Sequence, residues 1–235
     1  MKKYLLIFFI VSLILLAGCG KKDDGEKTTT YYGGTDGVSI SFKKIAPPDK
    51  FDQGEDVPIA AILKNSGEYD IVSGNAKAKI YGINHETFNL QDKYIGTSGE
   101  LKGKNDLNVE GGEREISFGN MKYIGEVINS RNTIIRARVC YPYQTKTDIP
   151  ICIKSSLAQE AGESVCSIEG EKVSKGTVSS APVQVISVVE KTIGKDRVRF
   201  DIKLKNSGTG IVYSNDATCD GLEDDLTKLN KKNKM

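Results

Sequence analysis

The sequence predicts an all-β fold arranged as two related units, the second of them short. Two observations carry this. Val, Ile and Thr fall in short runs that alternate with polar residues and are punctuated by Gly, Asn and Asp. The pentapeptide Leu63-Lys64-Asn65-Ser66-Gly67 recurs as Leu204-Lys205-Asn206-Ser207-Gly208, each time at the end of an alternating run. Composition sets the outer bounds. The 235 residues carry 33 Lys and Arg against 31 Asp and Glu, a net charge of +2. No block of like charge is long enough to point to nucleic acid as a partner.

Taken in order, the chain opens with Lys2 and Lys3, then an apolar run from Tyr4 to Leu16 interrupted only by Ser12. A basic start, an apolar stretch and small residues make a secretory signal. The run is shorter than the ~20 apolar residues of a spanning helix. It ends in Leu16-Ala17-Gly18-Cys19, which resembles the lipobox of bacterial-type lipoproteins. The resemblance implies cleavage after residue 18 and a thioether-linked diacylglycerol on Cys19, with two acyl chains giving a lasting anchor. It places the protein at the cell membrane or cell surface, facing outside the cytoplasm, with the membrane as one partner and the lipid on Cys19 as its only covalent group. No other cofactor is expected. Residues 19–36 have no apolar periodicity and read as a flexible tether spanning about 20–25 Å.

Val38-Ser39-Ile40-Ser41-Phe42 alternates as a half-buried strand. Val57, Ile59, Ala61 and Leu63 share a face of the next, with Pro58 marking an edge or a bulge. Ala76, Ala78 and Ile80 form the inner face of a third. Residues 83–111 are irregular: Phe88, Leu90, Tyr94 and Ile95 suggest a short hairpin, and 99–112 an exposed loop. Ile116 and Phe118 alternate with Glu115, Ser117 and Gly119 in a further strand.

Ile135, Ala137, Val139 and Tyr141 share one face, and Ile149, Ile151 and Ile153 another. Pairing these two runs as a hairpin sets Val139 opposite Ile153 and Cys140 opposite Cys152. Four cysteines follow Cys19, and an even count outside the cytoplasm favours disulfides. The expected bonds are Cys140–Cys152 and Cys166–Cys219. Residues 155–180 read as a linker, after which Val183 and Val185, then Val198, Phe200, Ile202 and Leu204, begin the second unit.

A strand ending in Leu-Lys-Asn-Ser-Gly after an alternating apolar run resembles the second strand of the Ig-like, CARDB-type repeats of bacterial and archaeal surface proteins. Cys140-Tyr141-Pro142-Tyr143 and Ala181-Pro182-Val183-Gln184-Val185 are similar to segments of archaeal-type surface proteins with such tandem domains. The resemblance implies an Ig-like antiparallel β-sandwich over 37–154, a linker over 155–180 and a partial second Ig-like unit with a polar tail over 181–235. A full sandwich takes about 100 residues. The second unit is therefore expected to be incomplete, truncated or completed by a partner.

No constellation for catalysis emerges. His85 stands alone, there is no Gly-x-Ser-x-Gly elbow, and Ser98 stands where a phosphate loop ending at Gly103-Lys104 needs Gly. Asp216, Asp220 and Gly221 fit positions one, five and six of a calcium loop, but Thr227 replaces its bidentate Glu, and no metal site is expected. Tyr141 and Tyr143 are the candidate contact residues, since rigid aromatics lose little entropy on binding, although their face equally suits core packing. The expectation is a non-enzymatic structural or partner-binding module. The alternative is an accessory subunit of a cell-envelope or secretion complex, with a cell-envelope protein as partner. A secreted hydrolase is the remote third.

Overall fold

The computed structural model describes residues 30–154, 166–194 and 197–221. The signal residues, Cys19 and the tail beyond 221 lie outside them. The chain is all-β, with no α-helix among the described residues. The described residues form nine strands: β1 (Val38–Phe42), β2 (Asp56–Asn65), β3 (Lys77–Tyr81), β4 (Ile95–Gly96), β5 (Glu113–Lys122), β6 (Arg136–Cys140), β7 (Gly170–Glu171), β8 (Val183–Ile193) and β9 (Arg197–Asn206). They form three antiparallel sheets ordered β1-β2-β5, β4-β3-β6 and β7-β8-β9.

The first two sheets enclose one core. Strand alternation drives this: Val57, Ile59, Ala61 and Leu63 of β2 point inward and are at most 1 % exposed. At one end Leu63, Val38 and Ile116 meet Ala76, just before β3, and Ala78 within it. At the other, Val57, Ile59 and Met121 meet Ile80, Phe88 and Tyr123, with the Phe88 and Tyr123 rings edge to face at 5.0 Å. Each fully buried aliphatic side chain contributes about 1.5–3 kcal/mol. Distribution of strands 1, 2 and 5 against 3, 4 and 6 is consistent with an Ig-like class. Pro58 sits at a bulge: β2 pairs with β5 through Pro58↔Asn120, and the register has slipped by Ala60↔Ser117.

Several expectations are corrected. Phe88, Leu90, Tyr94 and Ile95 make no hairpin. Instead Phe88 N donates to Asn84 O and Leu90 N to His85 O in successive turns, which drop Phe88 into the core. Ile95–Gly96 pairs with β3. The 99–112 loop is not exposed throughout; Leu101 is fully buried and exchanges two backbone hydrogen bonds with Ile71, and Gly103 is buried. Gly111, at φ 79°, lies so close to the Asn65 carbonyl that a Cβ would overlap it.

The largest correction concerns the chain after β6. No strand forms over 149–153, and Ile151 and Ile153 are exposed. β6 pairs with β3 instead. Residues 146–148, which lie between the two runs, pair instead with 177–179: Thr147 bridges Val178, and Asp148 N donates to Thr177 O. The cysteines follow the chain path, bonding as Cys140–Cys219 and Cys152–Cys166 rather than Cys140–Cys152 and Cys166–Cys219. The described parts of two segments expected to be loose, 30–36 and 166–180, are tied to the first unit. Within the tether, Tyr31 Oη donates to Asp148 and Gly33 N to Glu68 Oε1. Within the linker, Thr177 to Ser180 are buried, and Ser180 N donates to the same Glu68 oxygen at 2.7 Å.

Candidate interaction surface

The two Leu-Lys-Asn-Ser-Gly copies adopt one local structure. Val38 pairs with Asn65 as Val183 pairs with Asn206; Ile40 pairs with Leu63 as Val185 pairs with Leu204. Ser66 N donates to Gly37 O, and Ser207 N to Pro182 O. Asn65 Nδ2 donates to the carbonyl four residues on, Tyr69 O at 2.8 Å; Asn206 Nδ2 does the same to Gly210 O at 2.9 Å. β1–β2 and β8–β9 are thus the same antiparallel ribbon. They diverge at a bulge in β8 between Val185 and Ser187.

Their surroundings differ sharply. In the first copy β5 pairs with the outer edge of β2, and β3 and β6 cover its apolar face. In the second copy β9 has no strand on its outer edge among the described residues. Val198, Phe200, Ile202 and Leu204, the counterparts of Val57, Ile59, Ala61 and Leu63, lie at the surface, Ile202 at 61 % and Phe200 at 40 % exposed. Cover stops at β8. Val188 and Glu190, directly opposite Ile202 and Phe200 in the register, are 2 % and 1 % exposed. They lie in the part of the sheet flanked by β7, and Lys172 Nζ reaches Glu190 Oε2 at 2.8 Å.

Two features hold this ribbon. Glu171 fills the backbone gap left by the β8 bulge: its carboxylate accepts from Ser187 Oγ and from the amides of Lys172, Val173 and Val188. The Ser187 hydroxyl above all, and then these amides, hold its pKa down to about 2 from 4.5. Downstream of β9, the Cys140–Cys219 bond and a 3.4 Å ion pair between Lys77 and Asp220 draw the chain back onto the β3–β6 sheet, away from the β9 edge.

The polar side of β9 is basic. Arg197, Arg199, Lys203 and Lys205 alternate with the apolar residues, and Asp201 is the sole acid, held by Lys191 at 2.9 Å and Arg199 at 3.0 Å. Lys203 and Lys205 are exposed, with no ion pair among the described residues.

The residues singled out in the sequence lie elsewhere. Tyr141 packs on the first core cluster, and burial pushes its phenol pKa up, partly offset by a backbone hydrogen bond at Val38. Tyr143 is half-buried and likewise raised by burial. Both line the joint between the first unit and Ser180–Pro182. His85 Nε2 lies 3.0 Å from Ile80 O and 3.4 Å from Asp92, bracing a turn. Asp216 contacts Ser214 and Asp220 contacts Lys77; among the described residues no three His, Cys, Asp or Glu cluster as metal ligands. A cleft of about 80 Å³ lies between Tyr31, Glu68, Lys104 and Lys146, and Glu68 is already committed there to two backbone amides. No family model, curated protein or solved structure matches this chain.

The bare β9 face was legible in part, since the repeat marks β9 as the counterpart of β2. The basic stripe was also in the sequence, but only the register shows that it flanks an open edge.

Proposed function

We propose that this protein is a lipid-anchored, extracytoplasmic, non-enzymatic β module that binds a protein partner through its second unit. The observation that carries the reading is the contrast between two copies of one ribbon. The same alternating face is buried beneath a sheet in the first copy and open in the second. An uncovered apolar strand with an unpaired edge is a liability that soluble proteins usually block, and a bound partner accounts for its presence here. The two disulfides support a compartment outside the reducing cytoplasm. The lipobox-like Leu16-Ala17-Gly18-Cys19 supports a tether at its surface.

The test places a photoreactive amino acid at Ile202 of the full chain in its native membrane, with Ile153, exposed away from β9, as the control position. The reading expects one specific adduct from Ile202 and none from Ile153. Equal or absent labelling at the two positions would sink it. Mass spectrometry of the mature N-terminal peptide checks the anchor: a lipid-modified Cys19 is expected, and an unmodified Cys19 or retention of residues 1–18 would overturn it.

A second reading makes the chain an accessory subunit of a cell-envelope or secretion complex. The extent of the open face favours it, since four successive inward positions of β9 lack cover. A stoichiometric adduct that copurifies without crosslinking distinguishes a permanent subunit from a transient binder.

A further inference from the structure

We propose that the outer edge of β9 receives one strand from another polypeptide, an extended segment that alternates apolar with acidic residues. This rests on the partner-binding reading above and specifies the partner's chemistry.

The first unit supplies the template. β5 lies on the edge of β2 that corresponds to the open edge of β9, with Glu113 opposite Lys64 and Glu115 opposite Ile62. Glu113 reaches Lys64 Nζ at 3.6 Å. On the other face β5 sends Ile116 and Met121 into the core. Transferred to the second copy, where Lys205 stands for Lys64 and Lys203 for Ile62, the same edge presents two free lysines to the acidic positions of an incoming strand. Ile202 stands for Ala61, the position that Ile116 opposes. Charge complementarity across strand pairs and apolar contact on the inner face then act together. The Asn pair adds an independent sign. Asn65 Oδ1 accepts from Gly67 N, and its Nδ2 also donates to Leu101 O in the segment leading into β5. Asn206 Nδ2 has no counterpart of that second bond among the described residues, while its Oδ1 is left unpaired because Gly208 N donates to Pro182 O.

Other occupants fit less well. Two β9 strands paired antiparallel about Asp201 would set Arg199 against Lys203 and Arg197 against Lys205. Centring on Phe200 or Ile202 relieves one like-charge pair and keeps another. Residues 222–235 of this chain carry Lys228, Lys231, Lys232 and Lys234 beside a run of three acids, Glu223 to Asp225, and no period-two alternation of apolar with acidic residues.

The experiment uses the full chain in vesicles of neutral phosphatidylcholine. The probe is a fluorescein-labelled peptide alternating valine and glutamate, matched in length to the ten residues of β9; the control replaces glutamate with lysine. The acidic peptide is expected to bind at least about tenfold more tightly at low salt, and less tightly as salt rises. It should also slow amide exchange in β9. Lys203→Glu with Lys205→Glu should reverse the preference. If that variant fails to fold, the milder Lys203→Gln with Lys205→Gln should abolish the preference instead. Binding of neither peptide, or a preference that survives these changes, overturns the proposal. So does a β9-dependent dimer in sedimentation, which would assign the edge to a second copy. If the peptides fail while Ile202 still captures a specific partner, the partner-binding reading stands and only the strand chemistry falls.

Discussion

Asn65 and Asn206 occupy the same position in the same pentapeptide, and their unequal surroundings set unequal consequences. Asn65 makes three hydrogen bonds from a buried site. Asn206 makes one, from a more open site. Asn65→Ala is therefore expected to cost about 2–3 kcal/mol, because it strands buried backbone groups, and Asn206→Ala less than about 1 kcal/mol; urea unfolding of the two variants compares them. Glu171 yields a pH prediction. Its folded pKa lies near 2, below the 4.5 of an unperturbed Glu. Its contribution is therefore present above about pH 4.5 and fades as pH falls toward 2. Glu171→Gln should flatten this acid limb of a stability–pH profile, and an unchanged acid limb would count against the assignment.

At the scale of an element, β2 and β9 are matched strands in unmatched settings. Ile59→Ala in β2 opens a cavity beneath the β3 sheet and is expected to cost about 2–5 kcal/mol. Phe200→Thr at the corresponding place in β9 keeps a strand-forming residue at a partly exposed site, so a change within about 1 kcal/mol is expected. Chemical denaturation of the unbound protein reads both. Adding the partner or the acidic peptide should raise the cost at Phe200, because only then does that face become interior. The strands themselves were readable from period-two alternation, β1, β2, β3, β5, β8 and β9 all falling where the pattern puts them. The 149–153 run shows the limit of that signal. Its Ile151 and Ile153 alternate as well as any strand, yet they face solvent, because 144–148 is already engaged by 177–179. Alternation says that a segment could line a face and is silent on which partner reaches it first.

Across the whole molecule, disulfides and the Glu68 joint tie the second ribbon to the first unit. Cys140–Cys219 closes a loop of 79 residues and Cys152–Cys166 one of 14. On chain-entropy grounds their removal costs at most about 4.5 and about 3 kcal/mol. Paired Cys→Ser variants, melted with and without reductant, should rank in that order. Peptide mapping without reduction should recover Cys140 with Cys219 and Cys152 with Cys166; recovery of Cys140 with Cys152 would restore the hairpin that the fold lacks. Glu68→Ala should loosen both Gly33 and Ser180, which amide exchange can follow at the two ends of the joint.

The sequence by itself determined the all-β class, an irregularity at Pro58 and the duplicated strand that ends in Leu-Lys-Asn-Ser-Gly. These are properties of local alternation and turn chemistry, which the chain carries residue by residue. Tertiary structure decided the disulfide pairs, the docking of 31–36 and 177–181, the burial of Leu101 and the opening of the β9 face. Those depend on which distant segments arrive at a shared face or edge. Strand period fixes the side a residue points to, whereas cover and pairing come from competition among segments far apart in the chain.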